Sequence, residues 1–415
     1  MRKVAGNILR VLLLMAVALG LMGCSGAEPE PVPEVKLSVW WSEEEERELL
    51  NQTIEAFQEE YADEALFQIT VSIENIVTTR ETVLANPQAA ADIYVFADDQ
   101  FETLRRAGAL LEITEDTEQV IADNGGVDNG ACCAAMYEDK LYAYPFTAGN
   151  GYFLYYNADY FTEEDVKSFD RILEVSAANG KKTAMDYSSG WYIYSFFKGA
   201  GLDLVMNEDG ITNTCNWNAA DTPYTGVDVT EAMLRIAYHD GFINCDDEGF
   251  IKGIQSGDII AGVNGAWNAE VIKKEWGEGF AAVKLPCYTL AGDNVQMCSF
   301  SGYKLLGVNP SSENCYWAMK LAQRLSDEQM QTKRFEMTGD CPSNVNAAMS
   351  ESVQASPVVA ALVEQEHYAD AQRVADTYWN PSSLFGITIA GGNPDGQDLQ
   401  YLLDTMVDGI TARPE

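Results

Sequence analysis

Apolar residues in the first quarter of the chain follow two periods, which together predict alternating strands and helices. Residues 36–41 (KLSVWW) alternate as in a strand, residues 66–73 predict a second strand, and residues 93–96 form a short unbroken apolar run. Between the first two predicted strands, a predicted helix has one apolar face, formed by Leu50, Ile54, Phe57 and Tyr61. Short apolar runs separated by amphipathic helices are typical of parallel sheets covered on both faces. We therefore predict an α/β protein that begins with a parallel, doubly wound sheet.

The segment DIYVFADDQFETLRRAGALLEIT, residues 92–114, predicts a strand, a tight loop and a helix. Asp98 is a favourable N-cap for this helix, and Gly108 is expected to end it. Ligands of open α/β sheets bind beyond the carboxyl ends of the strands, so the candidates for a binding crevice are Phe96, Asp98, Asp99 and Gln100. An aromatic ring beside carboxylates and an amide suits a polyol. In the alternative interpretation, Phe96 is a core residue and the two aspartates only cap the helix.

Tryptophans recur at other predicted strand ends. Trp40 and Trp41 end the first strand, and we expect at least one of them to face the crevice and the other to join the core. Trp267 follows a predicted strand at residues 259–263. Gly149-Asn150-Gly151 separates two further predicted strands and is a candidate hinge.

Two other aromatic groups are candidates for core or site. One predicted helix carries Trp191, Tyr192 and Tyr194, and the polar tips of such rings suit half-wet positions, so one of the three is a candidate for the ligand. Residues 377–386 are rich in Pro and Ser, which predicts a turn, and contain Trp379 and Phe385.

The amino terminus predicts a lipoprotein signal at residues 1–23. A basic start precedes an apolar stretch at residues 11–19, which is short for a membrane span. Leu21-Met22-Gly23-Cys24 then matches the bacterial lipobox, in which the thiol of Cys24 carries a diacylglycerol. A plain signal peptide with a chance cysteine is the alternative. Residues 24–35 are rich in Pro and Glu and predict an extended tether, so we expect anchoring to the outer face of a membrane.

The charge of the chain limits its ligands. Residues 1–23 contain three basic and no acidic residues, so their removal changes the formal net charge from −38 to −41. No basic stripe is available to neutralise phosphates, which argues against nucleic acid as a partner. An anionic substrate would be repelled, which leaves neutral or cationic ligands.

Eight cysteines remain after Cys24, and the chain has two histidines and no CxxC motif. This composition argues against a zinc site. An even number of cysteines in an exported protein permits disulfides, with Cys287–Cys298 and Cys215–Cys245 as candidate pairs. Free buried thiols are equally compatible with the sequence.

No motif nominates a catalytic centre. The chain has no GxSxG, Walker A, HExxH or dinucleotide-binding glycine fingerprint. Among 64 acidic residues, no local motif singles out a glycosidase pair. We therefore expect a binding protein rather than an enzyme, with no catalytic residue, cofactor or metal.

Several segments, taken in order, make the chain resemble the family 1 extracellular solute-binding proteins of ABC transporters, the maltose/maltodextrin-binding type. They are KLSVWW, ADIYVFADDQFETLRRAGALLEIT, YEDKLYAYPFTAGNGYFLYYN, FIKGIQSGDIIAGVNGAW and GDCPSN, and the resemblance covers residues 36–412. It implies a two-lobed periplasmic-binding-protein-like fold of type II, with a ligand cleft between the lobes and three crossings, near residues 147–151, 297–301 and 343–347. The implied N-terminal lobe comprises residues 36–147 and 301–345, and the C-terminal lobe comprises residues 148–300 and 346–415.

The resemblance also implies ligand-binding positions. Stacking rings are implied at Phe96, at Trp267 and at Phe385 or Trp379, with an aromatic cluster at Trp191, Tyr192 and Tyr194. Asp99 is implied as an acceptor for hydroxyls, and Glu44 and Asn150 fall near polar ligand positions. Gln100 replaces an Arg and Glu45 replaces a Lys of the family pattern, so the sequence does not name the sugar.

The sequence therefore predicts a monomeric, lipid-anchored receptor on the extracellular face of the cytoplasmic membrane, of the Gram-positive type. We expect it to capture an oligosaccharide such as a maltodextrin by hinge closure and to deliver it to an ABC transporter permease. The first alternative is a binding protein for a cationic solute such as a polyamine, held by acids inside an aromatic box. The second is a secreted carbohydrate-active enzyme on a similar scaffold.

Overall fold

A computed structural model describes residues 32–128, 130–207 and 209–414. The predicted signal segment, Cys24 and most of the tether lie outside the described residues. Within the described ranges, no helix combines the length and the hydropathy that a membrane span requires.

Strands occur throughout the described chain. They are β1 (Glu34–Trp41), β2 (Leu66–Ile73), β3 (Ile93–Ala97), β4 (Met136–Tyr137), β5 (Lys140–Leu141), β6 (Ala143–Thr147), β7 (Tyr152–Asn157), β8 (Lys182–Ala184), β9 (Leu204–Met206), β10 (Asn213–Cys215), β11 (Phe242–Ile243), β12 (Ile259–Gly265), β13 (Phe280–Val283), β14 (Cys287–Leu290), β15 (Asp293–Gln296), β16 (Ser299–Ser301), β17 (Lys304–Val308) and β18 (Ala369–Ala371).

Helices cover the sheets and make up most of the last third of the chain. They are α1 (Arg47–Glu60), α2 (Thr79–Ala85), α3 (Phe101–Arg106), α4 (Thr117–Asp123), α5 (Gly130–Ala135), α6 (Phe169–Ala178), α7 (Gly190–Gly199), α8 (Gly226–Ala237), α9 (Asp247–Gln255), α10 (Ala269–Trp276), α11 (Cys315–Leu325), α12 (Glu328–Thr338), α13 (Val345–Ala348), α14 (Glu351–Gln354), α15 (Pro357–Glu366), α16 (Trp379–Ala390) and α17 (Leu399–Thr411).

The N-terminal lobe is built on a five-stranded sheet with the order β2-β1-β3-β17-β6. β1 pairs in parallel with β2 and β3, which confirms the predicted parallel start. β17, which follows in the chain only at residue 304, enters antiparallel between β3 and β6. The side chains of residues 35–146 and 305–330 form one core around this sheet.

The C-terminal lobe is built on a second five-stranded sheet with the order β11-β8-β12-β7-β13. β11, β8 and β12 are parallel, whereas β7 is antiparallel to both β12 and β13. A second core draws on residues 152–300 and 374–410. The two sheets with separate cores match the predicted two-lobed α/β fold.

The chain crosses between the lobes three times: from β6 to β7, from β16 to β17, and between α12 and α15. The crossings pack against one another, because the Ala148 N–H donates to the Cys341 carbonyl at 2.8 Å and the Asn150 N–H donates to the Gly302 carbonyl at 2.8 Å. Gly149 has φ +64° in the first crossing, a conformation that residues with a Cβ rarely adopt. The glycines predicted as a hinge therefore lie where the chain leaves the first lobe.

Two local predictions near the site are wrong. Asp98 does not cap a helix, because it is the first residue of a 3₁₀ turn at Asp98–Gln100 and Gln100 is the N-cap of the helix that follows. The Pro- and Ser-rich stretch at residues 377–386 is mostly helix α16 rather than a turn. Pro381 lies in the first turn of this helix, where no intrahelical partner for its nitrogen is needed. Gly108 does end its helix as predicted, with φ +68°.

Candidate functional site

The carboxyl edges of the two sheets face each other. In the N-terminal lobe, β1 ends at Trp41, β3 at Ala97 and β6 at Thr147, and Lys304 begins the antiparallel strand β17 beside them. In the C-terminal lobe, Trp267 follows the end of β12. The Lys304 Nζ lies 5.9 Å from the centroid of the Trp267 ring. This contact places the strand ends of both lobes on the two sides of one cleft.

Trp191 and Trp267 form a pair of neighbouring rings on the C-terminal side of the cleft. Their centroids are 5.6 Å apart and their planes are tilted by 30°, and both side chains are half-buried. The Trp191 Nε1–H donates to Gln372 Oε1 at 3.1 Å, and the Trp267 Nε1–H donates to Asp247 Oδ2 at 3.1 Å. Both polar tips are thus occupied by protein acceptors, and the apolar faces are the part of each ring that remains for a ligand.

Five predicted aromatic site residues are buried in the cores instead. They are Trp41, Phe96, Tyr192, Tyr194 and Phe385. Phe96 has no exposed surface and is a core residue, as one of the two interpretations of its segment expected, and Trp41 donates its indole N–H to Glu46. The Tyr194 ring stacks on Phe300 with centroids 3.8 Å apart. These rings point to the packed side of their helix or strand, so they present no face for stacking.

Trp40 and Trp379 are intermediate cases. Trp40 is half-buried and packs at the edge of the N-terminal core, on the other face of β1 from Trp41. Trp379 is half-buried against the C-terminal core, with its ring centroid 4.9 Å from that of Tyr378. Neither ring takes part in the Trp191–Trp267 pair.

Asp98 and Asp99 bring two carboxyl groups to the N-terminal side of the cleft. One oxygen of each, Oδ1, is buried and has no hydrogen-bond partner among the described residues. Burial, reinforced by the Asp99 charge, raises the pKa of Asp98 to about 8. Burial raises the pKa of Asp99 to about 7, although Arg80 opposes the shift. Both carboxyl groups are therefore partly protonated near neutral pH, and their Oδ1 atoms have hydrogen-bonding capacity that the described residues do not use.

The close approach of the backbone to Asp98 requires a glycine at position 302. A Cβ on Gly302 would lie 2.7 Å from Asp98 Oδ1, which is closer than real Cβ contacts. The Asp98 N–H donates to the Tyr303 carbonyl at 3.0 Å. The second crossing between the lobes therefore packs directly against this carboxyl group.

Three other predicted polar residues have different surroundings. Gln100 is buried, and its amide accepts from the Arg80 N–H and donates to the Ile76 carbonyl, so both of its ends are used by the backbone. Glu44 is exposed and pairs with Arg47 at 2.6 Å. Asn150 is half-buried in the first crossing. Of these three residues, Asn150 lies between the lobes. Gln100 instead holds the backbone at Ile76 and Arg80 through its buried amide.

Sequence reasoning missed a largely buried ionic cluster at the carboxyl edge of the N-terminal sheet, which consists of Glu43, Glu46, Lys304, Arg334 and Asp340. Arg334 bonds Glu46 at 2.8 Å and Asp340 at 2.8 Å, and Lys304 bonds Asp340 at 3.1 Å. Arg334, Glu46 and Asp340 have side-chain exposures of 1%, 0% and 3%. The available signal was weak: Lys304 opens an otherwise apolar strand, and Asp340 directly follows the helix-ending Gly339.

The eight cysteines that the structure describes are all unpaired. Neither Cys287–Cys298 nor Cys215–Cys245 is bonded, which corresponds to the free-thiol alternative. Burial raises the pKa of Cys215 to about 12 and that of Cys298 to about 11, so these thiols stay protonated.

Comparisons with known proteins show which family and which solved structures this chain is similar to. A family model described as bacterial extracellular solute-binding protein matches residues 52–361. No curated protein matches the chain. A solved structure described as "with acarbose" is 27% identical, covers 91% of this chain and 99% of its own, and has a TM-score of 0.77. The maltodextrin-binding protein MalE1 from L. casei BL23 is 23% identical over 91% and 99% of the two chains, with a TM-score of 0.73. The maltotriose-binding protein of Thermus thermophilus is 19% identical over 90% and 99%, with a TM-score of 0.75.

The structural matches cover nine-tenths of the chain, and they confirm the two-lobed fold that the sequence resemblance implied. The family match also confirms the expectation of a binding protein rather than an enzyme. Because the family model spans well over half of its length, the chain belongs to the family of bacterial extracellular solute-binding proteins.

Proposed function

We propose that this protein is a lipid-anchored receptor that captures an oligosaccharide, such as a maltodextrin, between its lobes and delivers it to an ABC transporter permease. The observation that carries the proposal is the Trp191–Trp267 pair, two half-buried rings whose centroids are 5.6 Å apart on the C-terminal side of the cleft. Sugars present apolar CH faces to such rings. Two adjacent rings suit consecutive sugar units, which favours an oligosaccharide over a single sugar.

The opposite wall supplies the polar complement. The buried Oδ1 atoms of Asp98 and Asp99 have no partner among the described residues, and sugar hydroxyls are suitable donors for them. Stacking and hydrogen bonds of this kind contribute about 1 kcal/mol each. Several such contacts, shielded from water between the closed lobes, would together account for the binding free energy of the sugar.

The anchor and the location rest on the sequence together with the family. The lipobox at Leu21-Met22-Gly23-Cys24 and the tether that follows suit an extracellular binding protein held at the cytoplasmic membrane. Labelled palmitate fed to expressing cells should be incorporated into the wild-type protein and not into Cys24→Ala. Labelling of Cys24→Ala at the wild-type level would overturn the proposed anchor.

A cationic solute such as a polyamine is the second candidate. It is favoured by the same two unpartnered carboxyl oxygens, since an ammonium group would satisfy both and lower the pKa of each acid. The two hypotheses differ in the residues on which binding depends. A sugar would depend on stacking against Trp191 and Trp267, whereas a polyamine would depend mainly on the carboxylates of Asp98 and Asp99.

The test is a thermal-shift and calorimetric screen of the purified protein against malto-oligosaccharides, other glycans and polyamines. A ligand that binds only the folded state raises the melting temperature. We expect a shift with one glycan series and its loss in Trp267→Ala, with Tyr316→Ala as the control, because Tyr316 is an exposed aromatic residue on α11 away from the cleft. Stabilisation by polyamines alone would reject the sugar, and no stabilisation by any compound would reject both.

A further inference from the structure

Lys304 is an unusual residue for the first position of a central strand. Its side chain is only 5% exposed, and its backbone pairs with Ala97 of β3 and Thr147 of β6. Lysine is almost never buried to this degree unless its charge is compensated. Lys304 therefore needs a structural or functional reason to be at the carboxyl edge of the N-terminal sheet.

The ammonium group of Lys304 is held in place by two carboxylates. Its Nζ lies 3.1 Å from Asp340 Oδ2 and 3.5 Å from Glu43 Oε1. Burial alone would lower the pKa of Lys304, but these two carboxylates outweigh burial and the net shift is upward. The side chain therefore stays charged at neutral pH.

The carboxylate Asp340 links Lys304 to the crossings between the lobes. Arg334 bonds Asp340 at 2.8 Å and also donates to Thr147 Oγ1 at 2.8 Å. Thr147 begins the first crossing, Lys304 ends the second, and Asp340 begins the third. The position of the ammonium group is thus fixed by residues of the three crossings, which are the segments that must bend when the lobes move.

The same ammonium group faces the other lobe. The Lys304 Nζ lies 5.9 Å from the ring of Trp267, which belongs to the C-terminal lobe. An ammonium has three N–H donors, and Asp340 and Glu43 account for two of them. This leaves one N–H donor without a carboxylate partner among the described residues, and the Trp267 ring, on which a ligand would stack, is 5.9 Å from the ammonium nitrogen.

We propose that Lys304 is a ligand-contacting residue, and that its ammonium group donates a hydrogen bond to an oxygen acceptor of the ligand unit that stacks on Trp267. This inference rests on the proposed carbohydrate-binding function and adds a specificity: the unit on Trp267 carries a hydroxyl or ether oxygen, and a cationic group is excluded from this position by like charge.

Lys304→Met and Lys304→Arg test the proposal in the full-length protein, with Lys320→Met as a matched control. Lys320 is also a partly buried lysine of the N-terminal lobe with a carboxylate partner, Asp116, but it lies on α11 away from the cleft. By calorimetry with the best glycan of the screen, we expect Lys304→Met to weaken binding about tenfold or more. Lys304→Arg keeps a charged donor and should lose less, and Lys320→Met should bind like wild type.

A double-mutant cycle separates ligand contact from a structural role. Because the Lys304 Nζ lies 5.9 Å from the Trp267 ring, the two residues also couple in the free protein, and urea unfolding of the same four proteins measures that part. If Lys304 and Trp267 hold the same ligand unit, the loss of affinity in Lys304→Met with Trp267→Ala should be smaller than the product of the two single losses by more than this coupling in the free protein. Should Lys304→Met not fold, the ¹⁵N signal of the Lys304 ammonium group in wild type, assigned with Lys304→Arg, should shift on titration with the glycan.

The outcomes distinguish the inference from the function on which it rests. If wild type binds a glycan and folded Lys304→Met binds it within twofold, or if the ammonium signal does not move, the inference is wrong and the proposed function stands. If wild type binds no glycan at all, the proposed function fails and the role of Lys304 fails with it.

Discussion

Arg80 of the N-terminal lobe forms an ion pair with Asp376 of the C-terminal lobe. The Arg80 side chain is only 11% exposed, whereas that of Asp376 is 43% exposed. The pair therefore joins the two sides of the cleft at a partly dry position, and it exists only when the lobes are close together.

We predict that Asp376→Asn shifts the protein towards an open form. A partly exposed ion pair contributes up to about 1 kcal/mol, so ligand affinity should fall by a factor of about two to five. Small-angle X-ray scattering of the unliganded protein should show a larger radius of gyration than in wild type. Glu112→Gln, which removes the Lys140–Glu112 pair within one lobe, is the control. An unchanged radius and affinity in Asp376→Asn would contradict a role for this pair in closure.

Arg334→Met should strongly destabilise the protein. Removal of the guanidinium leaves Glu46 and Asp340 as buried carboxylates without their main partner, at a cost of about 3–5 kcal/mol. The midpoint of urea unfolding should fall accordingly. Arg324→Met removes a surface pair with Asp327 and should cost less than about 1 kcal/mol. Similar losses in the two variants would show that the buried ionic cluster contributes no more to stability than a surface ion pair does.

The stability of the protein should depend on Asp98 between pH 5 and pH 8. The pKa of Asp98 is raised to about 8 in the folded protein, so the folded state binds this proton more tightly than the unfolded chain does. The contribution of Asp98 to stability is therefore greatest at low pH and is lost as the pH rises towards 8. The slope is set by the one proton that the folded state retains and the unfolded chain loses, so its upper limit is about 1.4 kcal/mol per pH unit.

Asp98→Asn removes this proton and should gain stability relative to wild type as the pH increases from 5 to 8, measured by urea unfolding at each pH. Asp165→Asn is the control, because hydrogen bonds from Thr162 and Arg171 lower the pKa of Asp165 to about 2, outside this range. A constant difference between Asp98→Asn and wild type across the range would show that Asp98 is ionised throughout.

Asp247→Ala should weaken ligand binding through Trp267. The carboxylate accepts the Trp267 indole N–H at 3.1 Å and the Asn264 amide at 2.7 Å, which orients the ring. Loss of one such hydrogen bond is worth about 1 kcal/mol, or about fivefold in the dissociation constant. Asp247→Asn retains an acceptor and should lose less.

The NMR signal of the Trp267 indole N–H should move in Asp247→Ala even without a ligand. Glu248→Gln removes the next carboxylate of the same helix, which pairs with Lys252, and is the control. Equal affinities in Asp247→Ala and Glu248→Gln would exclude a positioning role for Asp247.

The sequence by itself determined the framework of this protein. The alternating residues at 66–73 and the uninterrupted apolar run at 93–96 predicted strands that the structure contains, because segments rich in β-branched and aromatic residues between turn signals favour the extended form. Gly108 and Gly339 ended helices as glycine does when a left-handed conformation is needed. The order of several segments was specific enough to imply the two lobes and their crossings.

Only the tertiary structure decided which candidate side chains face the cleft. Trp191 and Tyr194 lie on one helix, and Trp40 and Trp41 lie on one strand, yet one member of each pair is buried and the other is half-exposed. Periodicity assigns side chains to faces, but aromatic rings suit a core and a binding surface equally well, so composition cannot say which face is which. The contact between Asp340 and Lys304 likewise depends on the crossings that bring distant segments together, and Glu46 and Arg334 meet across 288 residues of chain. An ion pair between such segments leaves no local pattern in the sequence, because it is the fold that brings its partners together.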